Sequence, residues 1–172
     1  MLSSFLSKRH LHIAAALTVA LALGACAKDA NQAGLGGAGG YGAYGGGAGT
    51  PGSKQDFVVN VGDRVFFETD STDLTPTAIA TLNKQAQWLQ RYPNYTFVLE
   101  GHADERGTRE YNFALGARRA ETVRDYLISR GIPASRMRTI SYGKERPVAV
   151  CDDISCWSQN RRVVTVLDAP GS

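Results

Sequence analysis

The spacing of apolar positions divides the chain into parts with different periods. Ile13 to Leu23 is a nearly unbroken apolar run of roughly eleven residues, well short of the ~20 needed to cross a bilayer. From about Lys54 the pattern becomes that of a folded α/β region. Val58-Val59-Asn60-Val61 and Arg64-Val65-Phe66-Phe67 read as extended segments separated by a turn at Gly62-Asp63. Thr75-Pro76 predicts a helix start, with Thr as N-cap and Pro at the first helical position. Ile79, Leu82, Ala86 and Leu89 then follow at spacings of three, four and three, one apolar stripe that ends before Pro93. Thr96 to Glu100 reads as a strand, and Gly101 to Glu110 as a polar loop. A second helix is predicted from Asn112 to Arg130, with Ala120, Val123 and Leu127 facing inward and Gly131 closing it. Thr139 to Tyr142 and Arg162 to Leu167 supply two more strands. This order predicts an α/β sandwich, with helices packed on one mixed four-stranded sheet.

The segments before Lys54 read as address and tether. Lys8, Arg9 and His10 precede the apolar run, and Leu23-Gly24-Ala25-Cys26 follows it, a secretory signal ending in small residues. The last four residues resemble a bacterial lipobox, which implies cleavage before Cys26 and acylation of that cysteine. An ordinary signal peptide with Cys26 a free thiol is the plainer alternative. Several acyl chains on one residue give stable anchoring where a single chain is marginal. Ala27, not an aspartate, follows the cysteine, which in such lipoproteins implies the outer membrane. Eleven of the chain's 19 glycines lie between Gly34 and Gly52. Glycine loses the most backbone freedom on ordering, so residues 26–53 are expected to be a flexible tether spanning on the order of 30 Å. The domain boundary is placed at residue 54, with the folded part at 54–172.

Charge excludes one class of partner. The net charge is +3, and removing residues 1–25 leaves 17 basic against 16 acidic residues, with no basic cluster to suggest nucleic acid. Cys151 and Cys156, with four residues between them, most simply form a disulfide in an exported protein. A metal site is the weaker alternative, because the neighbourhood offers only Asp152 and Asp153 as further ligands and no histidine. His102, Asp104 and Glu105 lie on the polar loop without an evident nucleophile, and no nucleophile elbow or phosphate loop occurs, so no enzyme and no cofactor are expected. On the second helix Arg118 points to solvent, whereas Arg119 lies between Leu115 and Val123 near the inward stripe. A guanidinium there needs a partner. Either Arg119 pairs internally with Asp104 or Asp70, or it offers its fork to a ligand carboxylate.

Several longer runs carry a family resemblance: Gly101-His102-Ala103-Asp104-Glu105-Arg106-Gly107-Thr108, Glu110-Tyr111-Asn112, Ala114-Leu115-Gly116-Ala117-Arg118-Arg119-Ala120, Ser141-Tyr142-Gly143-Lys144-Glu145-Arg146-Pro147 and Asn160-Arg161-Arg162. From about Val65 to Leu167 the chain resembles the peptidoglycan-associated lipoproteins of the Tol system, within the wider OmpA-like family. The resemblance implies non-covalent binding of the peptidoglycan stem peptide through meso-diaminopimelate, whose side chain ends in an ammonium and a carboxylate on one carbon. By matching position, Asp104 would accept from the ammonium and Arg119 would clamp the carboxylate. Asp70 and Ser71 would meet the ligand through backbone, Leu115 would line the pocket and Arg106 its rim. Phe67-Glu68-Thr69-Asp70 departs from the family pattern, because Thr69 replaces an aromatic residue. The loop with Cys151 and Cys156 departs from the enterobacterial pattern. The resemblance also implies binding to TolB and other Tol proteins, outer-membrane attachment facing the periplasm, and a part in drawing the membrane inward at division. The alternative is an OmpA-like lipoprotein that targets or regulates a separate wall-processing enzyme or another envelope machine.

Overall fold

A computed structural model describes residues 49–168; the signal segment, Cys26 and most of the glycine-rich stretch lie outside the described residues. Four strands form one sheet, β1 (Arg64–Phe66), β2 (Phe97–His102), β3 (Met137–Gly143) and β4 (Arg162–Leu167), in the order β1-β4-β2-β3. β4 runs antiparallel to both β1 and β2, and β2 runs parallel to β3, so the sheet is mixed. Among the described residues three α-helices lie between the strands, α1 (Pro76–Arg91), α2 (Arg109–Ser129) and α3 (Ile154–Asn160), with a 3-10 turn at Ala134–Arg136. Among the described residues no helix is long and apolar enough to cross a membrane.

α1 and α2 cover one face of the sheet. Val65, Leu99 and Val163 point into a core with Leu82 and Leu89 of α1 and Val123 and Leu127 of α2. The alternate positions Phe66, Ile140 and Val166 stay exposed on the other face, as the period of two in a strand requires. Thr75 caps α1 by accepting from the Ala78 amide (3.1 Å), and Thr108 caps α2 by accepting from Tyr111 (3.2 Å). Gly131, at φ 87°, closes α2 in the left-handed region.

Two local expectations are corrected. Val58 to Val61 is not extended: Phe57–Val61 forms a π-helical turn, closed by the Gly62 amide donating to the Phe57 carbonyl (2.9 Å). Phe57 is thereby buried against Trp88, while Val58 and Val59 face solvent. On α1, Ile79 is exposed and Ala78 takes the inward position, because the buried face also includes Gln85 and Trp88. α3 had no apolar stripe to announce it; Asp153 starts it by accepting from the Ser155 amide (2.7 Å). Residues just before Lys54 also contact the fold. The Tyr95 hydroxyl donates to the Gly52 carbonyl and the Gly52 amide to Asp56, both at 2.8 Å, so this end of the glycine-rich segment is tied to the fold.

The tightest approach lies between β2 and α2. A Cβ on Gly101 would overlap the Gly116 carbonyl, and one on Gly116 would stand 2.5 Å from the Ser141 hydroxyl. These two glycines let α2 rest directly on the sheet. That contact fixes Arg119, one turn further along α2, over the C-terminal end of β2.

Candidate functional site

At that end of the sheet the chain leaves β2 into the loop 103–108, and the segment after β1 passes beside it. Arg119 is fully buried between them. Its Nε donates to the Ser71 carbonyl (2.9 Å), Nη1 to the His102 carbonyl (3.0 Å) and Nη2 to the Glu68 carbonyl (3.0 Å). The internal ion pair considered for it, with Asp104 or Asp70, is not formed. Three backbone carbonyls hold the guanidinium instead, and one N–H on each terminal nitrogen has no partner among the described residues. Burial first, and then the charge of Arg161, push the Arg119 pKa down to about 10, which leaves it a cation at neutral pH.

Asp104 is paired with two other arginines. Arg106 Nη2 reaches its Oδ2 at 2.7 Å and Arg161 Nη1 the same oxygen at 3.2 Å, while the Arg106 amide and Nε reach Oδ1, each at 3.2 Å. Burial alone would raise the Asp104 carboxyl; the hydrogen bonds from Arg106 and Arg161 outweigh it and hold the group below the ordinary carboxylate range. The two arginines differ in freedom. The Arg106 side chain is 41% exposed and that of Arg161 only 5%. Arg161 is further fixed through Nε, which donates to the Phe67 carbonyl (3.0 Å), while the Phe67 amide donates back to the Arg161 carbonyl (2.9 Å).

The other expected residues surround this pair. Leu115 is buried on α2. Asp70 lies exposed, four residues beyond the end of β1, at φ 52°, and its carboxylate accepts from the Tyr111 hydroxyl (3.3 Å). Ser71 follows it, its carbonyl held by Arg119 and its hydroxyl accepting from the Asp73 amide (2.9 Å). Thr69, where the family pattern has an aromatic, reaches only a 3.5 Å contact with Arg106. The loop itself is gripped from outside: Lys144 donates to the carbonyls of Glu105 (3.1 Å) and Gly107 (2.7 Å), and Asn112 to that of Arg106 (2.6 Å).

Composition and spacing do not single out two contributing residues, Arg161 and Trp157. Arg161 appeared only inside a family run. Trp157, on α3, donates its indole N–H to Glu105 (2.6 Å) and carries the Arg106 guanidinium 4.2 Å from its ring centre. In the sequence it is marked only by its place next to Cys156, whose sulfur is joined to that of Cys151 with Cα atoms 5.7 Å apart. His102, at the end of β2, is held in a state that the sequence does not reveal. It is 2% exposed, neither ring nitrogen has a hydrogen-bond partner among the described residues, and burial with Arg162 and Arg146 nearby lowers its pKa to about 4. Among the described residues the one grouping of possible metal ligands is Cys151, Asp153 and Cys156, and there the sulfurs bond each other.

The sequence profile of the OmpA family matches residues 66–161, the stretch that builds this site. The chain belongs to the OmpA family. Within it, the chain is 66% identical over 157 residues to a peptidoglycan-associated lipoprotein of Rhizobium meliloti, covering 91% of this chain and 88% of the relative. It is 67% identical over 156 residues to the protein of that description in Agrobacterium fabrum, covering 91% and 87%. The OmpA-family fold is matched by the crystal structure of the peptidoglycan-associated lipoprotein from Burkholderia pseudomallei, with TM-score 0.60, 42% identity, and coverage of 62% of this chain and 90% of that one. The C-terminal domain of Helicobacter pylori MotB shares the fold at TM-score 0.59 and 23% identity. OmpA-family membership therefore rests on both sequence and architecture.

Proposed function

We propose that this chain is a non-enzymatic tether, lipid-anchored through Cys26 in the outer membrane and gripping peptidoglycan with the domain that follows its glycine-rich segment. The ligand is the stem peptide, held non-covalently by the side-chain end of meso-diaminopimelate. Asp104 takes the ammonium, the two remaining N–H bonds of Arg119 take the carboxylate, and the backbone at Asp70 and Ser71 and the side chain of Leu115 shape the pocket. Arg106 stands at its rim. What supports this reading most is that Asp104 and Arg119 meet at one end of the sheet without neutralising each other. A carboxylate and a guanidinium kept apart in this way complement a zwitterion. The sequence likeness to peptidoglycan-associated lipoproteins adds weight to the ligand class.

In this role the domain links wall and membrane by a bond that is released and remade, and works with TolB and the other Tol proteins when the envelope constricts at division. The test is co-sedimentation of the full chain with purified cell-wall sacculi. Sacculi containing meso-diaminopimelate should carry the protein down and sacculi containing lysine should not, while Asp104→Ala and Arg119→Ala should each release it. Equal sedimentation with both wall types would contradict the proposed ligand.

A further inference from the structure

Four N–H groups converge on the Asp104 carboxylate: the Arg106 amide and Nε on Oδ1, and Arg106 Nη2 and Arg161 Nη1 on Oδ2. A carboxylate offers about four acceptor positions, so none is left for an incoming ammonium. One donor must leave. Arg161 is buried and tied to Phe67 in both directions, and the Arg106 amide belongs to a loop clamped by Lys144 and Asn112. Only the exposed side chain of Arg106 is free to move. A cation pushed off its carboxylate would ordinarily be lost to solvent. Here its guanidinium already lies 4.2 Å from the centre of the Trp157 ring, within range of a cation–π contact that survives loss of the ion pair. The indole does not follow it, because Glu105 holds the ring N–H at 2.6 Å.

We propose that Trp157 is a specificity-determining residue: it retains the Arg106 guanidinium at the pocket after a ligand ammonium has displaced it from Asp104, where Arg106 then pairs with the ligand carboxylate. The inference rests on the binding reading above and deepens it. A ligand with an ammonium alone, such as a lysine side chain, evicts Arg106 and gives it nothing in return. A ligand with both charges on one carbon replaces the broken ion pair with a new one. Discrimination thus comes from an exchange of partners at Arg106, in addition to the N–H bonds of the wholly buried Arg119.

The chain has two tryptophans, and Trp88 is buried in the core, so fluorescence can read the movement at Trp157. The full chain in detergent is titrated with two muropeptides that differ only in carrying meso-diaminopimelate or lysine, the latter offering a side-chain ammonium with no carboxylate on its carbon, by calorimetry and by tryptophan emission. Wild type should bind the first more tightly and change its emission on saturation. Trp157→Phe, which keeps an aromatic face, should lose the emission change and keep the preference. Trp157→Ala should weaken binding of the meso-diaminopimelate muropeptide by about five-fold and leave that of the lysine one unchanged, so that the preference narrows. Equal weakening of both probes, or no weakening by Trp157→Ala, would overturn this inference and leave the binding reading intact. Failure of the folded wild type to bind the meso-diaminopimelate muropeptide would overturn both.

Discussion

The Nε of Arg119 donates to the carbonyl of Ser71, 48 residues earlier in the chain, at 2.9 Å. With its bonds to Glu68 and His102, this makes Arg119 the staple that holds the segment after β1 against the end of β2. A lysine cannot copy it, because a single ammonium cannot span three carbonyls that a planar fork reaches. Arg119→Ala should cost about 2–4 kcal/mol in urea denaturation. Arg119→Lys should recover less than half of that, and both variants should lose the site.

Gly101 and Gly116 meet where α2 rests on β2. The added Cβ of Gly101→Ala meets backbone, the Gly116 carbonyl, which cannot swing aside. That of Gly116→Ala first meets the Ser141 hydroxyl, a side chain with some freedom. Gly101→Ala should therefore be the more destabilising, by about 3 kcal/mol against about 1–2 for Gly116→Ala, compared by thermal or urea unfolding.

His102 predicts an acid-sensitive fold. Its pKa is about 4 in the folded protein against an ordinary 6.5, so below 6.5 the unfolded chain binds the proton more readily. Stability should fall as pH drops from 6.5 towards 4, by about 3 kcal/mol in all, and this contribution should level off below that. The charged groups around the ring, Arg162, Arg146 and Glu100, remain in His102→Phe, which should flatten the slope in that window. Asp104 adds a separate loss in stronger acid, as its depressed carboxyl is finally protonated.

Elements with strong local periodicity were legible in the sequence, and parts that depend on distant partners were not. Leu82 and Leu89, and Ala120, Val123 and Leu127, mark their helices because one buried face repeats along each. Phe57–Val61 misleads because its β-branched residues suit a strand, while Gly62 and burial of Phe57 against Trp88 select a helical turn. The position of Arg119 on the inward face of α2 was readable by counting turns. Its three carbonyl partners were not, since they come from two other segments. Arg161 shows the same limit: nothing near residue 161 reveals that Asp104 and the Phe67 carbonyl lie beside it.

The bridge between Cys151 and Cys156 closes a loop with a sequence separation of 5. So short a loop restricts the unfolded chain little, and replacing both cysteines by serine should lower stability by about 2 kcal/mol at most, with the fold retained by circular dichroism. The local effect should be larger. Freed from the bridge, α3 holds Trp157 less firmly, and the accessibility of the indole to an acrylamide quencher should rise.

In the proposed function Asp104 and Arg119 together recognise a side chain bearing both an ammonium and a carboxylate. The most direct test of this recognition is calorimetric titration of the full chain in detergent with two muropeptides that differ only in carrying meso-diaminopimelate or lysine, repeated with Arg119→Ala and Asp104→Ala. The meso-diaminopimelate muropeptide should bind saturably, the lysine one much more weakly, and both variants should lose the difference. Equal affinity of the wild-type protein for the two muropeptides, or an undiminished preference in the variants, would contradict it.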